Sequence, residues 1–204
     1  GNHDADSLVS DGTLSSTGAH DTANYGVYAI NEKDYPWGWQ ASSSFQTTCK
    51  NTANALDAYL DAKAAEGYTK PIFVITHVPL HYSPRTSSMG DGKYAKYLYD
   101  VLDEAGDAGL NVIFLFGHNH SNTYDDYIGG GQIYLAKGSN ICIANEGSGS
   151  SYFTDELSFT YMNCGYVGYI GGKAGTNMSM SVFEIRGDEV IVKRYGTNGT
   201  VDLK

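Results

Sequence analysis

With 204 residues, 41% of them hydrophobic, the chain can bury the core of one ordinary domain and does not read as a disordered segment. Lys and Arg total 13 against 23 Asp and Glu, and the resulting net charge of −10 argues against broad contact with a nucleic-acid backbone. No apolar run approaches the roughly 20 residues needed to span a bilayer.

Residues 5–24, rich in Ser, Asp, Gly and Thr, read as a loop, and Tyr25–Asn31 as a strand. Asp34-Tyr35-Pro36-Trp37-Gly38-Trp39 is a turn carrying aromatics. Thr47 or Thr48 can cap a helix that runs to about Ala65, with Leu56, Tyr59, Leu60 and Ala64 on one face and Gly67 as its stop. Pro71 then precedes Ile72-Phe73-Val74-Ile75, a short β-branched run that reads as a buried strand ending at Thr76-His77. A second helix is predicted over Lys93–Ala108, with the stripe Tyr94, Tyr97, Leu98, Val101, Leu102 and Ala105, and Gly109 stops it. Val112-Ile113-Phe114-Leu115-Phe116 is the next buried strand, and Gly117-His118-Asn119-His120 follows directly. This helix–strand alternation predicts neighbouring parallel strands, whose ligand sites collect beyond the strand carboxyl ends.

After residue 130 the pattern changes. Gln132–Ala136, Ile141–Ala144, Thr160–Asn163, Met178–Arg186 and Glu189–Tyr195 are short strand candidates, with a hairpin signal at Arg186-Gly187-Asp188-Glu189. They predict an antiparallel meander, so the fold class is α+β: parallel strand–helix units followed by that meander. Cys142 and Cys164 lie in apolar stretches and read as buried thiols; with Cys49 the count is odd, and the wide spacing gives no zinc-ribbon pattern. Sparse lysine beside 17 Tyr, 25 Gly and plentiful Ser, Thr and Asn favours an extracellular or cell-surface bacterial protein over a cytoplasmic one.

Every histidine except His20 falls in one of three clusters: Gly1-Asn2-His3-Asp4, Thr76-His77-Val78-Pro79-Leu80-His81 and Gly117-His118-Asn119-His120. The last two follow strands. Imidazole and amide groups suit borderline divalent ions such as Zn²⁺, Mn²⁺ and Fe²⁺. His118 and His120 can share one face of an extended segment or diverge on a tight loop. Of Asn2 and His3, one can ligate while the other faces substrate. His81 reads either as a support for a ligand or as a packed polar residue. Arg85 reads either as a substrate contact or as a solvated loop residue.

At these residues the chain resembles the calcineurin-like metallophosphoesterase superfamily. That family carries five blocks in order: DxH, GDxxD, GNH[DE], a His at a strand end, and GHxH. The last three stand here as Gly1-Asn2-His3-Asp4, His77, and Gly117-His118-Asn119-His120. The resemblance implies a hydrolase acting on phosphomonoesters or phosphodiesters, in small molecules or phosphoproteins, with two divalent transition metal ions (Mn, Fe or Zn) in the complete enzyme. It implies that Asn2, His77 and His118 ligate one metal and His120 the other. Asn2 would also touch a phosphate oxygen, and His3, helped by Asp4, would protonate the leaving group while a hydroxide shared by the metals attacks phosphorus.

The family's first two blocks do not occur in this sequence. The expectation is therefore that residues 1–204 are the C-terminal portion of a single metallophosphoesterase domain, half of a four-layer α/β/β/α sandwich. Alone, this portion would hold one metal or none and be inactive or weakly active. A missing N-terminal half, or a homodimer partner, would cover an exposed sheet face. A competing reading is a non-catalytic interaction or metal-binding module that keeps the half-fold.

Overall fold

A computed structural model describes residues 16–35, 43–83, 92–119, 124, 126, 132–148, 150–165, 169–170, 173–174, 179–196 and 199–203. In chain order the elements are β1 (Gly18–Ala19), β2 (Gly26–Ala29), α1 (Ser43–Ala65), β3 (Ile72–Ile75), α2 (Ala95–Asp107), β4 (Val112–Phe116), β5 (Tyr134–Leu135), β6 (Asn140–Ala144), β7 (Tyr152–Glu156), β8 (Thr160–Asn163), β9 (Tyr169–Ile170), β10 (Lys173–Ala174), β11 (Ser179–Arg186), β12 (Glu189–Gly196) and β13 (Gly199–Leu203).

The centre is a six-stranded mixed sheet in the order β1-β2-β3-β4-β8-β5. Strands β2, β3, β4 and β8 run parallel, and β1 and β5 pair antiparallel at the two edges. Its two faces are covered differently. On one, Ile72, Val74, Val112, Phe114, Phe116 and Tyr161 pack with the apolar faces of α1 and α2. On the other, Phe73, Ile113, Leu115 and Met162 meet Phe183, Ile185, Val190 and Val192 of the antiparallel sheet β11-β12-β13. The result is three layers: helices, mixed sheet, antiparallel sheet. Strands buried on both faces need apolar residues at every position, and β4 is buried throughout.

Both helices stop by the same device. The Tyr68 N–H bonds to the Lys63 carbonyl and that of Gly67 to Ala64; after α2 the Leu110 N–H bonds to Ala105 and that of Gly109 to Gly106. These bonds require a left-handed residue just past each helix, and Gly67 (φ +64°) and Gly109 (φ +92°) provide it. Helix α1 begins before the expected cap, and its buried side is Phe45, Cys49, Ala53, Leu56 and Leu60. Ala64 is exposed, in the last turn.

The region after residue 130 corrects the expected meander. Strand β8 is not part of a meander: it lies parallel to β4, with Ile113 opposite Thr160 and Phe116 opposite Asn163, and pairs antiparallel with β5 on its other side. The meander is confined to β11–β13, where the expected turn holds: Arg186 pairs with Glu189 across Gly187-Asp188. Strands β6 and β7 form a separate hairpin beside α2, where Tyr99 meets the Phe153 ring edge-on. The outer side of the antiparallel sheet exposes Met180, Val182 and Tyr195. No described helix is long and apolar enough to cross a membrane.

Candidate metal centre

Adjacent parallel strands in register end level with one another. Ile72 pairs with Val112 and Ile75 with Leu115, so the residues that follow β3 and β4 emerge side by side. The loops are tied together at once: the Thr76 N–H bonds to the Leu115 carbonyl at 2.9 Å, and the Gly117 N–H to the His77 carbonyl at 3.1 Å. Thr76 turns its hydroxyl back onto the Val78 carbonyl at 2.7 Å, which tightens the first loop.

This geometry brings His77 and His118 into contact. His118 Nδ1 lies 3.2 Å from His77 Nε2, and the rings meet edge to face at 80°. His118 is buried while His77 is half-buried, and His118 has a left-handed backbone (φ +59°). An L-residue other than Gly adopts that conformation at a cost, and such positions cluster at functional sites.

The separation of the two nitrogens suits a shared cation. Two imidazole nitrogens each about 2.0–2.1 Å from one tetrahedral ion lie roughly 3.3 Å apart. His77 and His118 therefore fit as a pair of nitrogen donors to a borderline divalent metal. Among the described residues no group of three or more His, Cys, Asp or Glu gathers around one point. Asn2, His3, Asp4, Arg85 and His120 lie outside the described residues.

His81 is fully buried, boxed by the rings of Phe116, Tyr124 and Tyr161. Its Nδ1 lies 2.8 Å from the Tyr161 hydroxyl, and its Nε2 lies 3.2 Å from the side-chain amide of Asn119. Neither Tyr161 nor Asn119 was singled out by sequence reasoning. Each lies far from His81 along the chain, and no local spacing links them. His20, in contrast, is exposed and bonds to the nearby Ser16 carbonyl.

A further residue missed from sequence is Arg194. It is buried near the same strand ends, its guanidinium donating to the Asn163 carbonyl and to Ser179 Oγ. Among the described residues no carboxylate pairs with it. Burial lowers its pKa from the usual arginine value, while the neighbouring Cys164 acts the other way. The signal was the alternation of β12, which turns Val190, Val192 and Arg194 inward. A cavity of about 220 Å³ between the sheets, lined by Asn111, Ile113, Thr160, Met162 and Val192 among others, lies toward the opposite strand ends from the histidine pair.

No family model matches the chain, and no curated protein does either. Among solved structures the chain is similar to GAP50, the anchor in the inner membrane complex of Plasmodium, with 17% identity and a TM-score of 0.38. The alignment covers 90% of this chain and 47% of the other, so the chain spans about half the length of that protein.

Proposed function

We propose that this chain is the C-terminal portion of a dinuclear metal-dependent phosphoester hydrolase whose complete domain is a four-layer α/β/β/α sandwich. The observation that carries the proposal is the His77–His118 pair, nitrogen to nitrogen at 3.2 Å, on the carboxyl ends of adjacent parallel strands. Ligand sites in sheets of this kind collect at those ends.

In this reading His77, His118 and Asn2 hold one metal and His120 the other. Divalent ions bound there neutralise charge on phosphoryl oxygens and lower the pKa of water. His3, steadied by the Asp4 carboxylate, passes a proton to the departing oxygen. Arg85 offers two parallel N–H donors to phosphoryl oxygens. The strand-end loops hold His77 and His118 in place, and phosphoester hydrolysis depends on positioning and charge stabilisation more than on covalent help from the protein. The same composition that favours an exported bacterial protein supports placing the enzyme at or outside the cell surface.

The test is metal analysis of the complete protein together with hydrolysis of 4-nitrophenyl phosphate. The expected result is about two equivalents of Mn, Fe or Zn, with vanadate-sensitive phosphatase activity that His118→Ala abolishes. Less than one equivalent and no hydrolysis after metal addition would leave the non-catalytic module as the reading. Hydrolysis of carboxyl esters without vanadate inhibition would replace phosphoesters as the substrate class.

A further inference from the structure

The polar groups buried behind the histidine pair fix the direction of their own hydrogen bonds. The Tyr161 oxygen receives two backbone donors, the N–H of Leu80 at 2.8 Å and that of His81 at 3.2 Å. A phenol oxygen has two acceptor sites and one proton to give. With both acceptor sites engaged, its proton goes to the remaining neighbour, His81 Nδ1 at 2.8 Å. Tyr161 is fully buried, and that burial holds its phenol far above the ordinary tyrosine pKa, so the proton stays on.

An imidazole that accepts at Nδ1 in its neutral form carries its own proton on Nε2. His81 Nε2 faces the Asn119 side chain at 3.2 Å, so an Nε2–H there meets that amide. The amide can present either its nitrogen or its oxygen in the same space. With the nitrogen toward His81, two donors oppose each other, and Asn119 Oδ1 stays buried without a partner. Reversing the imidazole instead would put a third donor on the Tyr161 oxygen and leave the phenol proton with no acceptor. Turning the amide resolves both conflicts and leaves one unmatched group, the outward amide N–H₂, in place of two.

We infer that Tyr161, His81 and Asn119 form a one-way relay that positions the loop bearing His118: the Tyr161 O–H donates to His81 Nδ1, and the His81 Nε2–H donates to the Asn119 carbonyl oxygen. The relay joins three elements, since Tyr161 belongs to β8, His81 to the loop after β3 and Asn119 to the loop after β4. It braces the residue next to His118 from behind, while the Gly117–His77 backbone bond braces it from the side. His81 and Tyr161 are thus positioning residues for the pair His77–His118. The role in metal binding rests on the phosphoesterase reading; the direction of the relay does not.

The test is a long-range ¹H–¹⁵N correlation spectrum of the ¹⁵N-histidine-labelled protein, with His81 identified by its loss in His81→Phe. The expected pattern is neutral His81 protonated on Nε2. A proton on Nδ1, or on both nitrogens at pH 7, overturns the relay. Asn119→Asp, which only accepts, should keep that pattern and keep the Nε2 proton slow to exchange; Asn119→Ala should make the exchange fast. An Nε2 proton that exchanges equally fast in wild type and Asn119→Ala also overturns it. Zinc titration supplies the third readout, with Asn119→Ala binding about 10–100-fold more weakly than wild type. Equal affinity in the two sinks the positioning role alone, and a complete wild-type protein that binds no zinc sinks the phosphoesterase reading instead.

Discussion

The Tyr161 hydroxyl accepts the Leu80 backbone N–H at 2.8 Å, joining the middle of β8 to the loop that follows β3. One phenol oxygen thereby satisfies polar groups that local structure leaves unpaired. Tyr161→Phe keeps the ring and its stacking on Phe114 and Phe116 but strips the Leu80 and His81 amides of this acceptor. Unsatisfied buried amides cost about 1–3 kcal/mol each. The expected loss is about 3 kcal/mol, read from urea unfolding with an unchanged slope. A loss below about 1 kcal/mol would show that these amides find other acceptors.

His118 adopts φ +59°, which separates its side chain from its backbone as contributors to stability. His118→Ala retains a Cβ in the left-handed region, whereas His118→Gly removes it. The cost of that region for an L-residue is about 1–2 kcal/mol, partly offset by the greater freedom of unfolded Gly. The Gly variant should be the more stable by about 0.5–1 kcal/mol. Equal stability, or a more stable Ala variant, would contradict the strain.

Asp21 predicts an acid-side dependence. Burial acts to raise its pKa, but the Lys63 ammonium at 2.8 Å, the Tyr59 hydroxyl at 2.7 Å and the Val27 N–H at 3.1 Å together bring it below the ordinary carboxylate value. A carboxylate whose folded pKa is lowered contributes stability above its unfolded pKa, about 4, and loses it as pH falls through the folded value. Wild type should therefore exceed Asp21→Asn by about 0.5–1 kcal/mol at pH 7. The difference should close progressively below about pH 4. A gap that persists unchanged at pH 2 would assign the effect to packing.

The thiols should be chemically quiet. Burial pushes Cys49 up to about 12 and Cys142 up to about 11; at Cys164 it does the same, to about 11, against the opposing Arg194 charge. All are free in the structure. A thiolate is the reacting species, so a disulfide-exchange reagent at pH 8 should titrate no thiol in the native protein and all 3 after unfolding. Rapid native labelling of Cys49 or Cys142 would contradict their burial, and that of Cys164, which is half-buried, would contradict its raised pKa.

What the sequence revealed depended on how local the signal was. Strands β3 and β4 were legible to the residue, because each is a short apolar run closed by a turn. The turn at Gly187-Asp188 was equally plain. The direction of β8 was not, since period and composition say nothing about which strand a segment lies beside. Strand β7 was missed because Tyr152–Glu156 is largely exposed and polar, with no buried face to mark it. Ala64 was misplaced because its spacing fits the apolar face of α1, yet nothing covers that last turn. Of the site, the residue types of His77 and His118 were visible at their strand ends. The Tyr161–His81–Asn119 contact was not, because tertiary packing alone brings those residues together.

The insertion of β8 beside β4 bears on how the chain is made. Phe114, four residues before His118, has its second ladder partner only at Tyr161. Until synthesis reaches that point, β4 is an unprotected edge of entirely apolar sequence, the kind of segment that recruits stray strands. A nascent chain halted shortly before β8 should associate with chaperones or aggregate, and release past residue 163 should end that exposure.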